Sequence, residues 1–299
     1  MTRTLSVLLA LVLSSPAWAG SWGKADGAWG KESAHASAAT GEVAVGKHLA
    51  VGAPVVVGDL AVYPVLDREA AMRPELDAVP LADAMAHGAV EVRELHDGQV
   101  ARVALVNHSD EPVFAMAGDV IDGGMQDRVI TEPVLVAAGA RVAVPVHCVE
   151  QGRWSGERRT FAYGGRIEPA IRDVVRRASS QDATWSAVAR ANTARGVAGS
   201  ASWLAGAGVD AEGAQALESA LRRRFEDDKR VVGVVVARGG AFEAPEVYAH
   251  PALFARDRGN VLQSHLIAAQ RRAPEAGVRV ASAPSVEDAA AYLVAALVD

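Results

Sequence analysis

The chain has a single cysteine, Cys148, among its 299 residues. An internal disulfide and a cysteine-based zinc framework are therefore excluded, and stability has to come from an apolar core. Surplus basic charge is missing as well. A net charge of -6 argues against a general nucleic-acid binder, which needs excess Lys and Arg for phosphate contacts, so no nucleic-acid partner is expected. The histidines at 35, 48, 87, 96 and 108 show no His-x-His or His-x-x-x-His spacing, and metal dependence is not indicated. Phosphate loop, Gly-x-Ser-x-Gly elbow, dinucleotide fingerprint and kinase signature are all lacking, and no cofactor is expected.

What is present begins with an address. Residues 1–19 have the three parts of a secretory signal: Arg3 in a short basic start, an apolar run over 5–13, and Ala17-Trp18-Ala19 as a small-x-small cleavage site. The apolar run is too short to span a bilayer, so no membrane span is expected once it is removed. Export to the periplasm or the outside follows, and the bacterial look of the leader favours the periplasm. Residues 20–41 are rich in Gly, Ala and Ser and repeat Trp-Gly-Lys around Trp22 and Trp29, as in a flexible leader. The remainder, 42–299, is long enough for one globular α+β domain, β-rich over 42–154 and helix-rich over 155–299. The whole chain's 50% hydrophobic and 22% charged composition is that of an ordinary soluble protein.

The stretch 118–154 organises this domain. Apolar runs at 129–136 and 141–149 flank Ala137-Ala138-Gly139-Ala140, the pattern of an antiparallel hairpin. Period-two alternation puts Val142, Val144, Val146, Cys148 and Glu150 on one face and turns His147 the other way. Cys148 and His147 therefore cannot form a thiolate–imidazole pair. Cys148 reads as a packed core thiol and His147 as a hydrogen-bonded structural side chain. Hairpin pairing also brings Asp119, Asp122, Gln126, Asp127 and Arg128, around Gly123-Gly124, to the same sheet edge as Glu150, Gln151, Arg153 and Trp154.

These residues carry a resemblance. Gly118, Gln126 and Arg128, followed by Cys148-Val149-Glu150-Gln151-Gly152-Arg153-Trp154, resemble the ARG and rhodanese-phosphatase-superfamily-associated protein domain family. The likeness continues over 60–64, 107–112, 232–240 and 247–254. Asp119 departs from it, standing where the longer Glu is expected. The resemblance implies no particular reaction and assigns no substrate.

Elsewhere, strands are expected at 54–57, 60–65, 90–95, 100–107 and 112–117, with a short helix at 81–87 ended by Gly88. Asn107-His108-Ser109 fits a glycosylation sequon, but the turn-forming residues through Pro112 favour a hairpin turn. The strands together suggest a twisted antiparallel sheet or sandwich. Helices follow from Pro169 to about 178 and over 182–194, the latter with an apolar stripe of Trp185, Val188 and Ala189. Residues 196–208, with Ser200, Ser202 and Trp203, read as a connector. A helix over 210–228 shows Leu217, Leu221 and Phe225 on one stripe, and its Arg222–224 run reads as a solvated, ion-paired face. A second hairpin turns at 238–240 and joins the same body. Pro251 starts a short helix, Val261 and Leu266 belong to another, and Ser285 with Asp288 resembles a capping box for the last.

The leading functional expectation is an exported binding or accessory domain for an unknown small molecule or protein partner. Its site would be Asp119, Gln126, Arg128, Glu150, Arg153 and Trp154: donors from Arg and Gln, acceptors from the carboxylates, a flat face from Trp154. One alternative is a hydrolase in which burial raises Asp119 or Glu150 as acid or base. The other is a structural cell-envelope protein, with the cluster a closed ion-pair network and Trp22 or Trp29 making the contact.

Overall fold

The computed structural model describes residues 41–95, 98–154, 160–177, 180–197, 199–207, 219–222, 225, 228–269 and 282–298, with the backbone of 36–37. Residues 1–19, expected to be a secretory signal, and Trp22, Trp29, Leu217, Arg223 and Arg224 lie outside the described residues. The fold is α+β, built on curled antiparallel sheets.

The first sheet contains β1 (Ala36–Ser37), β2 (Glu42–Val45), β3 (Leu49–Val51), β4 (Val55–Val57), β5 (Leu60–Asp67), β15 (Val231–Arg238), β16 (Ala241–Phe242) and β17 (Glu246–Val247). Its centre is the antiparallel pair β5–β15. All eight residues of β5 are buried because both faces are covered, which is why its sequence runs apolar without alternating. One face carries Leu60, Val62, Val234 and Val236 against Leu253, Phe254, Val261 and Leu262 of helix α4 (Pro251–Ala269). The other carries Ala61, Tyr63, Val65, Val235 and Ala237 against Ala289, Ala290 and Leu293 of α5 (Val286–Val298). A proline inside a central strand needs a gap in the ladder. Pro64 has one: β3 pairs as far as Val65 and β4 begins at Val62. The second hairpin thus joins the N-terminal strands, as expected. At its end a Cβ on Gly233 would lie 2.0 Å from the Glu246 carbonyl oxygen, so only glycine lets β17 close on β15.

Of two helical expectations, one changes and one holds. The segments at Pro251 and Val261 form one helix, since Gly259 meets nothing and costs only about 1 kcal/mol in a helix interior. The capping box is real: Asp288 N–H donates to Ser285 Oγ at 3.0 Å, and Ser285 N–H to Asp288 Oδ2 at 3.1 Å.

The second sheet runs β14 (Ala162–Arg166), β10 (Asp119–Asp122), β11 (Arg128–Ile130), β13 (Arg141–Cys148), β8 (Arg102–Asn107), β7 (Val90–Glu94). The expected hairpin forms only at its open end, Arg128 opposite Cys148 and Ile130 opposite Val146. Beyond it Pro133, with no N–H to give the ladder, breaks the first run. Residues Val134–Val136, β12, leave for a small third sheet with β9 (Val113–Ala115) and β6 (Val79–Pro80). The other half of β13 pairs with β8 instead. Likewise the turn after Asn107 is present but joins strands of two sheets. Buried Asn107 holds it, donating from Nδ2 to the carbonyls of Glu111, Val136 and Ala137.

The second and third sheets enclose a sandwich core of Val92, Val103, Leu105, Val113, Ala115, Ile121, Ile130, Val136, Val144 and Val146, capped by helix α1 (Leu81–Ala86). The outer face of the six-stranded sheet packs on α2 (Pro169–Arg177) and α3 (Gln181–Ala194). The buried stripe of α3 is Thr184, Ala187, Val188, Ala191 and Asn192, while Ala189 is exposed. Within the expected connector, the described residues 199–207 do more than connect. Trp203 is fully buried, its backbone N–H donates to Val149 O at 3.0 Å, and Gln151 backbone N–H donates to Ala201 O at 2.9 Å. The segment thereby covers the edge of β13 just past Cys148, where the Gln181 amide already pairs with both backbone groups of Cys148 at 2.7 Å.

Candidate functional site

The turn between β10 and β11 is built on two glycines at positive φ, 123° at Gly123 and 56° at Gly124. A Cβ at Gly124 would sit 2.1 Å from the Phe161 ring and one at Gly123 2.4 Å from Thr160 O, so no other residue fits. Their carbonyls accept from Arg153, whose Nη1 reaches Gly124 O at 3.0 Å and whose Nη2 reaches Gly123 O at 3.3 Å. The same guanidinium meets Glu150 Oε2 through Nε at 2.6 Å and Asp127 Oδ1 through Nη2 at 2.8 Å. Gln126 Nε2 donates to Glu150 O at 3.0 Å. Strand pairing therefore does gather Gln126, Arg128, Glu150, Arg153 and Trp154. Within this group Arg153 is fully engaged and ties the turn to the end of β13.

Arg128 differs. Fully buried, it donates from Nη1 to Gln126 O at 2.7 Å, while Nε and Nη2 make no hydrogen bond within the protein. Nη2 stands 3.7 Å from Glu94 Oε1, which accepts from Met125 N–H at 2.8 Å; Glu94 Oε2 is buried without a partner. The Trp154 ring centroid lies 5.6 Å from the guanidinium carbon, within cation–π range, and Trp154 is 45% exposed. Sequence reasoning missed Glu94, which β7 carries in from the far edge of the curled sheet. One signal was available: Glu94 is the charged residue on the inward parity of β7, after buried Val90 and Val92.

Electrostatics separate the carboxylates. Burial, reinforced by Asp122 and Glu150 against the opposing Gly123 N–H, pushes Asp127 up to about 6. Cys148 is fully buried and burial pushes its thiol up; His147 is lowered by burial and bonds Thr184 Oγ1 at 2.8 Å. Both residues thus play the packing and structural parts their parity implied. Among the described residues no group of three or more His, Cys, Asp or Glu is arranged to hold a metal ion.

Asp119 is not part of this group. Its Oδ2 accepts from Met116 N–H at 2.7 Å, and its Oδ1 from Tyr163 OH at 2.9 Å and Arg166 Nε at 3.0 Å. The reason is pairing: β14 lies on the other side of β10 and sets Arg166 opposite Asp119. Arg166, fully buried, also meets Glu246 Oε2 at 3.1 Å, Tyr248 OH at 3.1 Å and Asp257 Oδ2 at 2.5 Å. Arg172 Nη2 sits 2.6 Å from Glu246 Oε1, and His265 Nδ1 2.5 Å from Glu243 Oε2, which shares Arg238. Burial raises Asp119 despite Arg166. For Glu246 burial acts the same way but loses to Arg172, His265 and Arg166, which hold it well below the carboxylate range. Glu243, also opposed by burial, is drawn down to about 2 by His265 and Arg238. These groups form a charged network inside the fold that joins β10, β14, β17, α2 and α4.

With an antiparallel curled sheet, a helix-flanked partner sheet and a polar group at the open end of the β11–β13 pair, the molecule is an α+β protein with a candidate binding site. The chain belongs to the ARG and Rhodanese-Phosphatase-superfamily-associated Protein domain family, whose model matches residues 48–297. No curated protein and no solved structure matches it. Among the described residues no helix is long and apolar enough to cross a membrane.

The interior network carries a pH signature. Burial lowers His265, but Glu243 and Glu246 raise it overall above its ordinary 6.5, so its stabilisation is complete below 6.5 and is lost as pH rises through the folded value. Glu243 works in the opposite sense: its stabilisation is present above 4.5 and is lost as pH falls towards about 2. Urea unfolding from about pH 5 to 9 is expected to show stability declining on the alkaline side, and His265→Gln is expected to flatten that decline. An identical alkaline slope in the variant contradicts the assignment.

Proposed function

We propose that this chain is an exported binding or accessory domain that takes its ligand at the Arg128 end of the curled sheet. Arg128 and Glu94 make the polar contacts, Trp154 supplies the flat face, and Gln126, Asp127, Glu150 and Arg153 hold the frame. The observation that carries this reading is the state of Arg128. Nε and Nη2 form the side-on edge of a guanidinium, the edge used for two-point recognition, and here both are buried without a hydrogen bond. Leaving buried donors on a charged group unsatisfied costs on the order of 1–3 kcal/mol, and at Arg128 both donors of one edge are left so.

Arg153, expected at first to act alongside Arg128, is fully used by Glu150, Asp127 and two carbonyls, and its part is positional. The carboxylates of Asp127 and Glu150 are themselves occupied by Arg153, which favours binding over acid–base chemistry. Export is supported by the basic, apolar and small-x-small order of residues 1–19.

Two outcomes are expected. A thermal-shift screen of the full chain against nucleosides, sugars and short peptides should give hits that Arg128→Lys abolishes while its unliganded melting temperature stays near wild type. Hits of unchanged size in Arg128→Lys would move the site elsewhere. For export, the chain recovered from the cell envelope should begin at Gly20; a cytosolic chain beginning at Met1 contradicts it.

A further inference from the structure

The unpartnered atoms at the Arg128 end define what could complete them. On one side stand two donors, Nε and Nη2 of Arg128; on the other stands one acceptor, Oε2 of Glu94. Neither side chain is free to turn away, because Arg128 is held through Nη1 by Gln126 O and Glu94 through Oε1 by Met125 N–H. Nη2 and Glu94 Oε1 are 3.7 Å apart, so the donor edge and the acceptor edge lie side by side. A group that satisfies both must offer acceptors and a donor along one edge.

Charge narrows the class. Arg128 faces Glu94, and Arg153 faces both Glu150 and Asp127, so the cluster holds two cations and three carboxylates. A carboxylate or phosphate entering here finds no surplus positive charge to offset its desolvation, and a cation finds the Arg128 fork. A neutral ligand is left. Shape narrows it further. The half-exposed Trp154 ring lies over the guanidinium, and the Gly98 backbone packs beside it, a Cβ there being at ordinary contact distance, 3.4 Å, from the Trp154 ring and Met125 Cγ. Together they make a flat apolar wall of the kind on which heterocycles stack.

We infer that the ligand of this site is a neutral planar heterocycle bearing two adjacent hydrogen-bond acceptors followed by a ring N–H on one edge, the pattern of N7, O6 and N1–H in a guanine-type purine. The inference rests on the binding reading above. In the complex the heterocycle's acceptors take Arg128 Nε and Nη2, its ring N–H donates to Glu94 Oε2, and its face lies on Trp154.

Calorimetric titration of the full chain with guanosine, thymidine, benzoate and inorganic phosphate tests it. Guanosine is expected to bind with a dissociation constant of about 1 mM or tighter, and more tightly than thymidine, whose two acceptors flank its N–H. Glu94→Gln and Trp154→Ala should each weaken that binding by at least about tenfold, with melting temperatures monitored to show that both variants stay folded. Benzoate or phosphate binding that tightens in Glu94→Gln overturns the neutral class while leaving Arg128 as the ligand contact. Nucleoside binding unaffected by Glu94→Gln and by Arg128→Lys overturns both readings. Absence of any nucleoside binding at about 10 mM overturns the ligand class alone.

Discussion

The fold depends on one buried arginine. Arg166, on the edge strand β14 of the curled sheet, is held by Asp119 from the neighbouring strand, Glu246 from β17 of the other sheet and Asp257 from α4. No single helix or strand brings these carboxylates together; they meet only when both sheets and α4 are in place. Removing a guanidinium from water is expensive, and its carboxylates must be paired at good geometry for the state to persist. Arg172 and His265, which reach Glu246 and Glu243, extend the same condition to α2 and to the far end of α4. The network is thus a specification of how the layers dock, written in charges the core cannot tolerate unpaired.

Against that background Arg128 differs from Arg166. Both arginines are fully buried in the same sheet system, yet Arg166 spends its donors on protein groups, whereas Arg128 leaves its side-on edge unused. Folded proteins depart from full polar satisfaction mainly where a site has to meet something else, and they hold such a site with a well-satisfied surround. Here the surround is Arg153, the Gly123-Gly124 turn, Gln126 and the 201–203 segment laid along β13. Position alone does not distinguish the two arginines; the state of their donors does.

Much of this was legible from periodicity and strand pairing. Parity along 141–149 separated Cys148 from His147, and antiparallel pairing gathered Gln126, Arg128, Glu150, Arg153 and Trp154 at one edge. The misses share a cause, which is partners distant in the chain. Asp119 is close in sequence to the glycine turn, but its true partner lies 47 residues on, across a strand pairing that no local pattern specifies. Glu94 arrives through the curl of the sheet. The run at 129–136 looked continuous by hydrophobicity, although Pro133 already marked where the ladder had to break. Trp203 looked like the tip of a connector because its burial depends on the exposed edge of β13, which periodicity cannot see.

The division of labour between the two arginines is tested most directly by comparing their removal in one unfolding experiment. Arg166→Met strands three buried carboxylates and is predicted to lose about 3–5 kcal/mol. The double variant Arg128→Met, Glu94→Gln keeps an acceptor for Met125 N–H and gives up one hydrogen bond, to Gln126 O, together with three unpartnered polar atoms, and its unfolding free energy is predicted to stay within about 1 kcal/mol of wild type or to rise. A loss in the double variant as large as that in Arg166→Met would contradict the account, because it would make Arg128 a structural residue like Arg166.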